Sequence, residues 1–171
     1  AEGQPRYAAL RGTRGDFVGE AAGSDKTYSF SIEARKASRT VHLFESAIDL
    51  LSYATLEKLA ERDWREENLL SLAGVYQPAK DMQKSKVPAA LRRFLQENPQ
   101  VDRVALHLDT DRAGRMATAG IRAALSGMQT EDAPPKCGKD YNDSLCLQLS
   151  LPVTSRKKEE RKTKERRDGR G

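Results

Sequence analysis

The chain has 171 residues, enough for one domain with a real core. It contains no run of about 18 apolar residues, which excludes a helical membrane span, and no basic start followed by an apolar stretch, so no secretory signal is read. The net charge of +5 is uneven: Ser155–Gly171 holds nine Lys/Arg against four acids, so residues 1–154 sum to zero. A block so poor in apolar residues is expected to be disordered, either as a solvated end or as a stretch that attracts phosphate backbones without reading sequence. The start at Ala1 is read as that of a processed chain or a fragment of a longer, multidomain protein. Cys137 and Cys146 match no zinc spacing and no disulfide framework. They are read as incidental thiols in a reduced, cytoplasmic setting.

Residues 1–38 read as an N-terminal β-hairpin region. "RYAALRGT" is a short strand closed by Gly12. "DFVGEAAGSDKTYSFSIEA" reads as a strand, a turn around "AGSDK" and a second strand, in which Tyr28, Phe30 and Ile32 alternate with polar residues to give one buried face. From Thr40 the pattern changes. "TVHLFE" is a short apolar strand. "SAIDLLSYATLEKLAERD" is a helix, with Ser46 as its cap and Ile48, Leu51, Leu56 and Leu59 near helical spacing. "NLLSLAG" is a second buried strand ending at Gly74. "VPAALRRFLQENP" is a helix with Pro88 in its first turn and a stop at Pro99. "VDRVALHLD" is a third strand, and "AGRMATAGIRAALSG" a helix ending at Gly127. A fourth strand falls near Met128–Ala133, and "GKDYNDSLCLQLS" closes a domain at 39–150 with a loop and a short helix, ahead of the basic tail at 151–171. Strands alternating with helices across short connections predict an α/β fold with a mainly parallel four-stranded sheet flanked by helices, preceded by antiparallel hairpins.

In such a sheet, ligands gather at the carboxyl ends of the strands. Three acids lie there: Glu45 ends the first strand, and Asp109 and Asp111 end the third. Residues two apart on an extended backbone point the same way, so the two aspartates would repel unless something positive lay between them. If the first and third strands are neighbours, Glu45 joins them, and three hard oxygen donors suit Mg or Mn. The structural alternative is that Asp111 caps the helix that follows. On the residues alone, Arg112, Arg115 and Lys139 read as ordinary surface charge. Asp49 sits one turn beyond Glu45, as support for the site or as a cap residue. Asp140 and Asp143 read as supporting acids or loop residues. His42, His107, Trp64 and Tyr53 read as packing.

Four stretches, "VHLFESAIDLLSYATL", "LSLAG", "LHLDTDRAGRMAT" and "GKDYNDSL", come in this order and resemble the TOPRIM domain of DnaG-type primases, topoisomerases and certain nucleases. The matching positions are Glu45, Gly74, Asp109 and Asp111. "DTDRAGR" and the Gly138-Lys139-Asp140 element are similar to the primase branch. Over about residues 5–150, hairpins included, the chain also resembles a TOPRIM-containing group in proteins of plasmids and conjugative elements. The resemblance implies magnesium- or manganese-dependent phosphoryl transfer on DNA or RNA, with nucleoside triphosphates as possible substrates. In that role Glu45, Asp109 and Asp111 are catalytic and metal-binding, and Arg112, Arg115, Lys139 and Asp140 line the site. It implies a part in replication or transfer of mobile elements, with no membrane partner. The alternatives are a nucleic-acid-binding module with a structural divalent ion and a phosphate-transferring hydrolase built on Asp109 and Asp111.

Overall fold

The computed structural model describes residues 3–13 and 17–153; the basic tail from Ser155 lies outside them. Strands β1 (Ala9–Arg11) and β2 (Val18–Glu20) form an antiparallel hairpin with Leu10 opposite Gly19. The second expected hairpin does not form. Asp25 accepts a hydrogen bond from the Thr27 amide at 3.0 Å and caps a 3-10 turn over Lys26–Tyr28, because a short acidic side chain competes for local backbone donors. Phe30 is 39% exposed, so Tyr28, Phe30 and Ile32 do not share a buried face. Tyr28 packs against two cations, with the Arg6 guanidinium 4.3 Å and the Arg93 guanidinium 3.8 Å from its ring centre. Strand β3 (Ser31–Ile32) instead pairs with the main sheet.

That sheet is built from β4 (Thr40–Phe44), β5 (Asn68–Ser71), β6 (Arg103–His107) and β7 (Gln129–Asp132), all parallel, with β3 added antiparallel at one edge. The order is β3-β5-β4-β6-β7, so the expected four parallel strands gain a fifth, antiparallel neighbour. The helices are α1 (Ala47–Leu59), α2 (Ala89–Glu97), α3 (Arg112–Ala124) and α4 (Tyr141–Gln148). α3 stops short of Gly127, with Leu125 at its cap. None of the described helices is long and apolar enough to cross a membrane.

Alternation along the strands divides the core. One face sends Val41, Leu43, Leu70, Val104 and Leu106 against Leu91 and Phe94 of α2 and Ala117 and Ile121 of α3. The other sends Phe44 and Leu69 against Leu50 and Ala54 of α1, with Tyr53, Trp64 and Tyr141 around them. Each fully buried leucine contributes about 1.5–3 kcal/mol of burial. The buried stripe of α1 is therefore not the expected Ile48, Leu51, Leu56 and Leu59. Leu51 and Leu59 are each 48% exposed, and Asp49, Leu50, Ser52 and Ala54 are buried. The helix packs on both the sheet and α4, so polar residues share its contact surface.

His42 and His107 are packed as expected. Their rings meet at Nδ1 of His42 and Nε2 of His107, 2.7 Å apart, and His107 Nδ1 lies 2.8 Å from the Tyr141 hydroxyl. Burial first, and His42 second, push the His107 imidazole well below its ordinary range and keep it neutral. Both cysteines are free thiols.

Candidate metal centre and phosphate site

From β4 the chain crosses to β5 on one side and returns, through α2, to β6 on the other. The switch point therefore lies between β4 and β6, where Phe44 is opposite His107. Glu45 leaves the end of β4, and Asp109 and Asp111 follow β6, so all three acids lie at the same end of two neighbouring strands, where the chain leaves a crevice. The Glu45 carbonyl accepts from the Gly74 amide at 2.8 Å, which ties the loop after β5 to the rim. Gly74 has φ +117, a backbone state costly for any side chain, and a Cβ there would meet nothing within 4 Å. Its requirement is conformational.

The aspartates are set by α3. Asp111 caps this helix, with its Oδ1 accepting from the Gly114 amide at 3.0 Å, so the capping role is real and coexists with a place in the crevice. A Cβ on Gly114 would lie 2.2 Å from the Asp109 carbonyl oxygen, so the glycine allows the helix to press on the end of β6. Arg115 does not turn toward the carboxylates. Its Nε donates to the Asp109 carbonyl at 3.0 Å and its Nη2 to the Leu108 carbonyl at 2.9 Å. Its Nη1 reaches both oxygens of Asp132 at 2.9 and 3.0 Å. It thereby fastens the end of β6 to β7. Arg112, the first residue of α3, is exposed beside Asp111.

The loop before α4 supplies the cation. Thr110 donates to the Lys139 carbonyl through its amide at 2.9 Å and its hydroxyl at 3.1 Å. Gly138 has φ +79, and a Cβ there would lie 2.6 Å from that of Asp143. So placed, Lys139 Nζ lies 2.7 Å from Asp109 Oδ2 and 3.3 Å from Asp111 Oδ2. Asp140 caps α4 by accepting from the Asp143 amide at 2.7 Å. Asp49 accepts from the Asn142 amide at 3.4 Å and from the Ser46 hydroxyl at 2.5 Å, which joins α1 to α4 behind Glu45.

One ammonium does not balance this much negative charge. Burial, followed by Asp109 and then Asp111 and Asp49, pushes Glu45 up to about 7 against the opposing pull of Lys139. Burial, with Asp140 and Asp109, pushes Asp49 up to about 6, although the Ser46 hydroxyl stabilises its charge. Burial also raises Asp109 and Asp140, with Lys139 working against it in both. Asp111 is held below the ordinary range: burial opposes this, but the Gly114 amide and Lys139 outweigh it. Lys139 is raised, since Asp109 and Asp111 outweigh its burial.

The carboxylates are hard oxygen donors that repel one another, the chemistry a divalent magnesium- or manganese-like ion suits. As the side chains stand, no three Asp, Glu, His or Cys among the described residues are gathered tightly enough to grip an ion. The Lys139 ammonium lies between the aspartates where the sequence leads one to expect a cation. Lys139 was foreseen near the acids, but its ion pair with both of them was not. Thr110 and Gly114 were not foreseen as positioning residues; the "DRAGR" spacing was the one available signal.

These features define a doubly wound α/β domain with a cluster of acids at its switch point. The chain belongs to the Toprim-like family, whose model matches residues 42–145. Among solved structures, the primase fragment of the bacteriophage T7 primase-helicase protein is similar, with a TM-score of 0.54 and 16% identity over 87% of this chain and 54% of that one. At that identity the likeness is one of fold, and the chain spans about half the length of that fragment. No curated protein sequence matches the chain.

Proposed function

We propose that the domain carries out metal-dependent phosphoryl transfer on nucleic acid, primase-like or nuclease-like, as one part of a larger protein. The observation that supports the reading is that Glu45, Asp109 and Asp111 follow the neighbouring strands β4 and β6 closely enough for the aspartates to help push Glu45 up to about 7. A carboxyl near neutrality is suited to give and take a proton. Glu45 would do so at the 3′-oxygen that enters or leaves the phosphorus. Asp109 and Asp111, with Glu45, would hold magnesium or manganese, which when bound offsets charge on the phosphate oxygens. Arg112 and Lys139 would steady those oxygens, while Arg115 positions Asp109 through its backbone.

A cavity of about 430 Å³ between the β1–β2 hairpin and the start of α1 is of a size to take a nucleotide, and Ser46 and Gly74 in its wall tie it to the loops at the carboxyl ends of β4 and β5. Leu10, Val18 and Ile48 line it, with Arg11 and Lys26 at its edge. A role in replication or transfer of mobile elements is proposed on the sequence resemblance alone. The Lys139 ion pairs, which already offset part of the charge on Asp109 and Asp111, favour a second reading, a nucleic-acid-binding module in which any divalent ion is structural. The two separate in one experiment: incubation of a labelled oligonucleotide, with and without nucleoside triphosphates, in magnesium or manganese. Extension or cleavage that Glu45→Gln abolishes without altering the circular dichroism spectrum supports the enzyme. Binding without turnover under either metal supports the module.

A further inference from the structure

Lys139 combines a fixed backbone with a movable head. Two Thr110 donors hold its carbonyl, and its own amide donates to Asp143 Oδ2 at 3.3 Å, so the Cα is anchored against the end of β6. Its side chain is 41% exposed, whereas that of Asp109 is 7% exposed. The ammonium therefore reaches into the crevice from solvent along a flexible four-carbon stem. It bridges one oxygen from each aspartate, and both oxygens belong to the pair proposed to hold a divalent ion. Arg115 has no such freedom, being committed to two carbonyls and Asp132. An ammonium and a divalent ion cannot both occupy the gap between Asp109 and Asp111.

We propose that Lys139 is a tethered competitor for the divalent ion: it offsets part of the charge of the Asp109–Asp111 pair in the metal-free protein, and the ion displaces it on binding. The tether keeps the ammonium at a high local concentration, so it suppresses weak, non-productive cation binding. After displacement, the anchored backbone leaves the ammonium within a side chain's reach of the crevice, where it can meet a phosphate. The inference rests on the proposed function in assuming that these acids take a divalent ion.

The test titrates magnesium chloride and manganese chloride into the full chain and into Lys139→Met by calorimetry. Removing a positive charge beside the ligands is expected to tighten metal binding about tenfold or more. A second measurement uses wild-type protein alone, so it does not depend on the variant folding. Acetic anhydride labelling read by mass spectrometry should rise several-fold at Lys139 when metal is added, with the exposed Lys58 and Lys80 unchanged. Binding by the wild type that Lys139→Met does not tighten, or labelling of Lys139 that metal leaves unchanged, overturns this inference and leaves the metal site standing. Absence of binding in both proteins overturns the inference and the metal-dependent reading together.

Discussion

Glu45 is more protonated in the folded chain than in the unfolded one, because burial and the aspartates disfavour its charge. Its carboxyl rises from 4.5 to about 7 on folding, so between those values the native state binds the extra proton. Stability then falls as pH rises through that window, since the unfolded state gains by ionising freely. Asp49 acts in the same direction between 3.8 and about 6. In chelator, Glu45→Gln should therefore melt close to wild type below about pH 4.5 and progressively above it up to pH 7, with a constant gap beyond. Thermal unfolding followed by circular dichroism checks this, and a gap independent of pH contradicts it. The positions of the acids at the strand ends were legible from the apolar runs that precede them, and the capping role of Asp111 from the helix that follows it. The Lys139 ion pair was not, since Lys139 is 28 residues beyond Asp111 in the sequence, and a loop fastened by Thr110 brings it back.

At the scale of elements, α3 does the positioning. Gly114 allows its first turn to touch the Asp109 carbonyl, so Gly114→Ala forces backbone apart. A cost of about 1–3 kcal/mol is expected from overpacking, read as a lower urea midpoint, together with weaker metal binding as Asp109 shifts. Arg115→Met strips the Leu108 and Asp109 carbonyls of a charged donor and should cost about 2 kcal/mol in the same assay. A stability loss in Arg115→Met without change in metal affinity would mean that the β6 end keeps its place unaided. Most elements were legible from periodicity and caps: Ser46, Pro88 and Asp111 open α1, α2 and α3 where the sequence puts them. Two features were not. Asp25 diverts "KTYSFSI" into a 3-10 turn by a local hydrogen bond that alternation does not register. The stripe of α1 is rotated because the helix answers to α4 as well as to the sheet, a demand no single-helix pattern carries.

Over the whole molecule, the sheet order puts the acids at the carboxyl ends of β4 and β6, and the β1–β2 hairpin forms a cavity with the start of α1 and the loop after β5. The charge excess resides in Ser155–Gly171, beyond the described residues. If those nine basic side chains contact phosphates, deleting residues 155–171 should weaken oligonucleotide binding and flatten its salt dependence, with the crevice and its metal affinity untouched. Unchanged affinity and slope would assign the contacts to the domain itself. The central claim is that the acids at the β4–β6 switch point hold a divalent cation, and manganese binding followed by electron paramagnetic resonance tests it most directly. The account predicts one bound ion per wild-type chain, lost in Asp109→Asn while the fold persists. Wild-type protein that leaves manganese free in solution, or Asp109→Asn that binds it as tightly, would contradict the account.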